Sequence, residues 1–458
     1  MSAKSETKQS NVRVCVARPF FAMLKWIDRH QKLCFWTTAI LYKFILDAMY
    51  VWVGVPTFDY AGLVYEPSIF KYVLGFALYV GIFYLLPKKE EDVISFLLHL
   101  QFALTVAPML CFYALADGST AYMIMVVVCV ALQIVVLRKP IREKRACYVI
   151  GIKKITTLVV AVMIVATVGI CLICNGFEGL KAFDFDYIYE MRENAHYPFG
   201  VGYLLNWITR TVVPFFVLWC LYKKKYVYGV ALVAIEILFY MLTGEKFILF
   251  VLLPMLAVYF LCRSKHLIKL MYVGMGGVFA TVSVAYPLIK DIPLGVRLCR
   301  LVAVRTIFHP ADNKFNFFEL FSEFPKIHFS DGLIGKMFGM TYPYAGTSGQ
   351  VIYAYTGGEF LAANSNTGYL GESYGQFGFF GMLMMALLLA LLLRVLRHYE
   401  TKEYFPLLTA LFSVYMIILN DAALFTTIFT GGMMIAIALM MIFFEKDTGD
   451  LTNGIQRT

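Results

Sequence analysis

The chain has 458 residues, of which 60% are hydrophobic and 15% are charged. A soluble globular protein with so much apolar surface would aggregate, so the composition excludes that class and indicates an integral membrane protein with many spans. The formal net charge of +10 is expected to come from basic loops on the cytoplasmic side of the membrane, and not from binding to nucleic acid.

Apolar runs of about 20 residues, the length that crosses about 30 Å of hydrocarbon as an α-helix, recur along the chain. They predict an all-α fold with about twelve transmembrane helices in a single membrane domain, residues 1–458. The predicted spans are residues 33–55, 68–86, 93–115, 121–137, 155–174, 203–222, 227–243, 247–261, 269–289, 376–396, 405–420 and 422–444.

Basic residues cluster in alternate loops, and this pattern predicts the orientation. The clusters lie between the fourth and fifth spans, the sixth and seventh, the eighth and ninth, and the tenth and eleventh. Because positively charged loops stay in the cytoplasm, both termini of this multi-pass protein are predicted to be cytoplasmic. Two large loops, 175–202 and 290–375, are then external, and the first part of the second loop, about 295–325, is predicted to be helical.

Six basic residues on the predicted external side are candidates for binding a lipid diphosphate. A guanidinium keeps its charge at any working pH and binds phosphate oxygens through two parallel hydrogen bonds. The candidates are Arg192, Arg210, Lys246, Arg297, Arg300 and Arg305. The alternatives are ion pairs with nearby acids, contacts with ordinary lipid phosphates and, for Arg210, extension of the side chain to the membrane interface.

Acidic and aromatic residues alternate in the first external loop, a pattern typical of carbohydrate sites and equally of an amphipathic segment on the membrane surface. Asp186, Tyr187 and Tyr189 are the candidates for sugar binding there. In the second loop, Glu372 and His309 are the candidates for a catalytic general base. The sequence contains no H-E-x-x-H motif, and we predict a reaction without a metal or another cofactor.

Four short segments then suggest a family. The long loop enters the tenth span through A-N-S-N-T-G-Y-L-G-E-S-Y-G-Q-F-G-F-F-G, which begins at Ala363. Residues 243–246 read T-G-E-K, residues 189–192 read Y-E-M-R, and Arg305 is followed by F-F-E-L-F at 317–321. Together these segments resemble the bacterial oligosaccharide repeat-unit polymerases, the Wzy-type O-antigen and capsule polymerases.

The resemblance implies a GT-C-like glycosyltransferase in the bacterial inner membrane. It implies that the growing glycan moves from undecaprenyl diphosphate to the non-reducing end of a new lipid-linked repeat unit, and that undecaprenyl diphosphate is released. It also makes Asn364, Asn366 and Tyr374 candidates for sugar binding. The expected partners are lipid-linked oligosaccharides, membrane lipids and a chain-length regulator.

Two other functions stay open at the level of sequence. An O-antigen ligase would use the same donor with a lipid A–core acceptor. A flippase for lipid-linked oligosaccharides, or a proton-coupled transporter, is suggested by charges within spans, such as Glu236 and the pair Lys43 and Asp47. Against a transporter, the two halves of the chain do not match, whereas such proteins are commonly built from repeats.

Overall fold

A computed structural model describes residues 31–57, 63–138, 152–176, 187, 197–198, 200–332, 335, 337–360 and 363–444. Over these residues the fold consists of helices and contains no β-strand, which confirms the all-α prediction for this part of the chain. In chain order the helices are α1 (Leu33–Thr57), α2 (Ile69–Leu85), α3 (Val93–Leu115), α4 (Thr120–Arg138), α5 (Lys153–Asn175), α6 (Val201–Tyr222), α7 (Tyr226–Thr243), α8 (Lys246–Leu261), α9 (Leu267–Ile289), α10 (Pro293–Cys299), α11 (His309–Glu323), α12 (Ser348–Tyr355), α13 (Tyr369–Leu396), α14 (Phe405–Asp421) and α15 (Met433–Phe443).

Eight of the described helices, α1, α3 to α7, α9 and α13, are long and apolar enough to cross a membrane. The apolar helices α2, α8, α14 and α15 are shorter, at 10–17 residues. These findings establish a multi-pass α-helical membrane protein by length and composition.

The predicted spans coincide with these apolar helices, with two differences. Helix α13 begins at Tyr369 and bends at Phe377 and Gly378, so the predicted start of the tenth span marks the bend. The predicted twelfth span is broken, because a π-helical segment, Thr426–Thr430, precedes Gly432, where φ is +85°, and α15 starts only at Met433. Glycine tolerates such positive φ angles because it has no Cβ atom.

Helix α3 lies at the centre of the bundle, since all of its apolar window is buried within the protein. It packs against α14, and also against α9 and α13. Asp92 caps its N-terminus by accepting a hydrogen bond from the backbone N–H of Ser95 at 2.8 Å. Its polar side chains, Ser95, His99, Gln101 and Thr105, are buried as well, so protein and not lipid surrounds it.

Polar contacts near the start of α3 join three loops that follow or precede apolar helices. Arg397 donates to Asp92 Oδ1 at 3.0 Å, and Glu400 accepts from the backbone N–H of Val93 at 2.8 Å. Glu90 accepts from the backbone N–H of Ile268, at the start of α9, at 2.6 Å. The loops before α3, before α9 and after α13 therefore meet at one end of the bundle.

The opposite end is formed where α11 packs along the first turns of α13. Three glycines face α11: Gly368, which directly precedes α13, and Gly371 and Gly375, which lie in its first two turns. A Cβ atom at position 371 would lie 3.2 Å from Phe317 Cβ, and one at 375 would lie 3.0 Å from the Phe321 ring. The absence of side chains at these positions lets α11, which belongs to the predicted external loop, lie close against a candidate membrane helix.

Candidate functional site

The helix that carries the predicted arginines is not a regular α-helix. Between α10 and α11 the chain forms a π-helical segment, Arg300–Phe308, nine residues long. π-helical turns are rare and occur frequently at functional sites. This segment carries Arg305 and ends directly before His309, the first residue of α11.

Arg305 belongs to a polar group that we call the Arg305 cluster. Its members come from the π-helical segment, from α11, from the chain before α13 and from the end of α14. They are Arg305, His309, Asn313, Lys314, Asn366, Thr367, Asn420 and Asp421.

Hydrogen bonds hold the cluster together. Asn313 donates to the backbone carbonyl of Asn366 at 2.9 Å and lies 3.3 Å from His309 Nε2. The backbone N–H of Thr367 donates to the carbonyl of Asp421 at 3.0 Å. Segments that are about 50 and 100 residues apart in sequence are thereby fixed side by side.

The second anchor of the cluster is the side chain of Lys314, which is fully buried. Its Nζ donates to the carbonyl of Pro310 at 2.8 Å, to the carbonyl of Asn420 at 2.7 Å and to Asn420 Oδ1 at 3.1 Å. Thr105 of α3 also donates to Asn420 Oδ1, at 3.1 Å. The cluster is therefore tied to the central helix of the bundle.

Burial and neighbouring charges set the electrostatics of the cluster. Burial, with the cations Arg305 and Lys314, lowers the pKa of His309 to about 4, so its imidazole is neutral at pH 7. Burial also lowers the pKa of Lys314, and the attraction of Asp421 opposes that effect. Asp421 is attracted by both Lys314 and Arg305 and is hydrogen-bonded by the side chain of Asn366.

The cluster offers two complementary chemical groups. The side chain of Arg305 is exposed and can receive an anion from outside the protein. Asp421 Oδ1 is buried and has no hydrogen-bond partner among the described residues, so this oxygen can accept a proton or a hydroxyl hydrogen bond. A cation for an anionic leaving group and a carboxylate for a hydroxyl thus stand in one place.

Glu372, the predicted base, lies in a different environment. Both of its oxygens accept hydrogen bonds, from Ser348 at 3.2 Å and from Gln376 at 2.7 Å, and the residue is buried. Gln376 also accepts from the backbone N–H of Phe329 at 2.5 Å. Glu372 therefore ties α12 and the loop at Phe329 to α13, and its predicted catalytic role remains a prediction.

The predicted sugar-binding residues of the second loop have protein partners. Asn364 accepts from the hydroxyl of Thr347 at 2.6 Å, next to the start of α12. The hydroxyl of Tyr374 lies 2.9 Å from that of Ser322, and its ring packs against Tyr122. Asn366 belongs to the Arg305 cluster. The sugar contacts themselves remain predictions.

Arg210 and Lys246 lie in a second polar region, at the junction of α6, α7 and α8. Arg210, in the π-helical segment Ile208–Val212, lies 3.6 Å from Glu245 and over the ring of Phe247. Lys246 is the first residue of α8 and is half-buried. Arg210 therefore has a counter-ion, Glu245, which was not predicted from the sequence.

The other predicted cations are less informative. Arg297 and Arg300 are exposed on the turns before Arg305. Arg192, Asp186 and Tyr189 lie outside the described residues, and in their loop Tyr187 is described as a single half-buried position. Their roles remain predictions.

Sequence reasoning missed Lys314 and Asp421. A usable signal was present, since Lys314 stands beside Phe315 and Phe317, and Asp421 ends an apolar helix. Charged residues in such apolar surroundings are costly unless they have a partner or a function. Each of these two residues is the electrostatic partner of the other, and that can be read only from the folded chain.

Comparisons with known proteins do not assign the chain to a family. No model of a known protein family, no curated protein and no solved structure matches the chain. Within the described residues, no group of three or more histidines, cysteines or acids is placed to hold a metal ion.

Proposed function

We propose that this chain is a membrane glycosyltransferase that joins lipid-linked oligosaccharide repeat units into a surface polysaccharide. It would have a GT-C-like arrangement with all twelve apolar helices crossing the bacterial inner membrane and both termini in the cytoplasm. The growing glycan on undecaprenyl diphosphate would be transferred to the non-reducing end of a new repeat unit.

A single observation carries the proposal. An exposed guanidinium, Arg305, attracts a carboxylate, Asp421, whose Oδ1 has no hydrogen-bond partner among the described residues. Glycosyl transfer from a lipid diphosphate needs this pair of groups, a cation for the phosphate that leaves and a base for the hydroxyl that attacks. The motif resemblance around Arg305 and in residues 363–381 points to the same reaction.

The reaction follows from these positions. The acceptor hydroxyl gives its proton to Asp421, and its oxygen forms a bond to the anomeric carbon of the donor glycan. The bond from that carbon to the diphosphate oxygen breaks, and the electron pair leaves with undecaprenyl diphosphate. Arg305 stabilises the negative charge on the departing phosphate. The neutral imidazole of His309 orients Asn313, and through it the backbone at Asn366.

Reconstitution tests the function directly. The purified protein is placed in liposomes that contain only lipid-linked repeat units, and the products are separated by size. We expect a ladder of polymers together with free undecaprenyl diphosphate, and Asp421→Asn is expected to abolish both. Transfer only to added lipid A–core would indicate a ligase. Movement of a fluorescent lipid-linked sugar across the bilayer without extension would indicate a flippase.

A further inference from the structure

The inference concerns Lys314, a buried cation that the reaction above does not use. A lysine is almost never fully buried without partners, because removing an ammonium from water is costly. All three of the acceptors of its Nζ are uncharged oxygens, one from Pro310 and two from Asn420. An ammonium has three N–H groups, so its hydrogen-bonding capacity is used and its orientation is fixed.

The charge of Lys314 acts on the residue after Asn420. Asp421 is not among the hydrogen-bond acceptors of Lys314, yet it is the carboxylate whose attraction acts on that ammonium. A direct ion pair would occupy the carboxylate oxygens. By binding the backbone and side chain of Asn420 instead, Lys314 supplies positive charge nearby and leaves Asp421 Oδ1 without a partner.

The chain before α13 is shaped to permit this contact. Gly368 has φ +62°, and a Cβ atom there would lie 2.6 Å from Lys314 Cε and 2.7 Å from the carbonyl oxygen of Asn420. Only a residue without a side chain lets Lys314 reach Asn420 along this route. The contacts among Lys314, Gly368 and Asn420 therefore connect α11, the start of α13 and the end of α14.

We propose that Lys314 is a positioning residue, which acts through Asn420 to keep Asp421 charged and correctly oriented as the base of the transfer reaction. This inference rests on the proposed function. The other charged group that acts on Asp421 is Arg305, and both cations, Arg305 and Lys314, also act on His309 of the same cluster. Thr105 of α3 and Asn366 contribute only neutral groups.

The test separates the charge of Lys314 from its hydrogen bonds. Lys314→Gln keeps N–H donors and removes the charge, whereas Lys314→Arg keeps the charge. Lys326→Gln is the matched control, since Lys326 belongs to the same loop and lies over the ring of Tyr374. Protonation of Asp421 is followed by the pH dependence of its labelling with dicyclohexylcarbodiimide, which reacts with protonated carboxyl groups, and is read by mass spectrometry.

We expect the labelling midpoint of Asp421 to rise by about one pH unit or more in Lys314→Gln, because loss of a nearby cation favours the neutral acid. Lys314→Arg and Lys326→Gln should keep the wild-type midpoint. In the liposome assay, the acid limb of the rate–pH profile of Lys314→Gln should move in the same direction, with the rate at pH 7 lower by about two-fold or more.

An unchanged labelling midpoint in a folded Lys314→Gln protein would overturn the inference, whatever the enzyme polymerises. A shifted midpoint in a protein whose wild type makes no polymer would overturn the proposed reaction and leave the electrostatic link between Lys314 and Asp421 supported. Should Lys314→Gln fail to fold, Lys314→Met removes the same charge without a polar amide and decides the question by the same measurement.

Discussion

Arg305 and Arg210 show how the surroundings of a guanidinium decide what it can bind. Arg210 lies 3.6 Å from Glu245 and over the ring of Phe247, so part of its charge is already neutralised by the protein. Arg305 is exposed, and the carboxylate that attracts it, Asp421, is also attracted by Lys314. An incoming diphosphate therefore meets more uncompensated charge at Arg305 than at Arg210.

We predict that Arg305→Ala lowers chain extension by about 100-fold or more, because a preorganised cation on the leaving group contributes on that scale. Arg305→Lys should recover part of the rate, since it keeps the charge and loses the bidentate geometry. The measurement is polymer length in cells and in liposomes, with membrane insertion verified by thermal unfolding. A normal length distribution in Arg305→Ala would exclude Arg305 from the reaction.

Asp312, in the first turn of α11, gives a prediction about pH. Burial raises its pKa to about 8, with a hydrogen bond from Asn316 opposing the rise and the charge of Glu319 adding to it. The unfolded chain has an ordinary carboxyl pKa of about 3.9. The folded state therefore holds the proton more tightly, and this stabilisation is complete below pH 4 and is lost as the pH rises through 8.

Asp312→Asn is neutral at every pH and escapes that loss. We expect its unfolding temperature to equal that of the wild type near pH 4 and to exceed it by about 2 °C or more at pH 8 to 9. The control is Asp291→Asn, at an exposed acid, which should show no such divergence. Parallel unfolding curves for Asp312→Asn and the wild type across this pH range would contradict the assignment.

The roles of some residues of the site could be predicted from the sequence, and those of others depend on the fold. Arg305 could be singled out because arginine in an external loop has a recognisable chemistry for phosphate. Asp421 carried only the general signal of a charge at the end of an apolar helix, because its importance comes from the approach of Lys314, which precedes it by about 100 residues. The predicted base Glu372 illustrates the converse, since its hydrogen bonds to Ser348 and Gln376 arise only on folding.

Among the elements, helix α13 combines an apolar segment long enough to cross a membrane with polar turns next to the Arg305 cluster. Its glycines at 371 and 375 admit α11, and its bend at Gly378 separates the polar turns from the apolar part. Hydrophobic runs predicted where the membrane helices lie, because the hydrocarbon thickness fixes their length. They did not predict the bend or the π-helical segments, because these depend on packing between helices.

Gly368 allows this packing to be tested. Gly368→Ala should lower the unfolding temperature and the polymerisation rate together, because its Cβ atom would collide with Lys314 and with the backbone of Asn420. Overpacking of this kind costs about 1–3 kcal/mol. The matched control is Gly169→Ala in α5, where no atom lies within 4 Å of the added carbon and alanine should be neutral or slightly stabilising. Equal unfolding temperatures for the two variants would refute the packing argument.

On the scale of the whole molecule, the two ends of the bundle have different chemistry. At one end, Asp92 and Glu90 before α3 bind Arg397 after α13 and the backbone of Ile268 in α9. The loops that meet there carry basic clusters or adjoin them. The other end carries α11, α12 and the Arg305 cluster. Basic loops lie at the same end only if an even number of helices crosses between them, so α7 and the shorter α8 must each cross for the scheme to hold.

Accessibility of single cysteines tests that scheme. In a variant without its ten native cysteines, Thr356→Cys probes the loop after α12 and Lys265→Cys the loop after α8, both at exposed positions. A membrane-impermeant maleimide should label Thr356→Cys in intact spheroplasts and Lys265→Cys only after permeabilisation, because basic loops stay in the cytoplasm. Labelling of both from outside would mean that α9, the candidate membrane helix between the two positions, does not cross. The reverse pattern would put Arg305 in the cytoplasm, on the wrong side of the membrane for a polymerase of exported glycans.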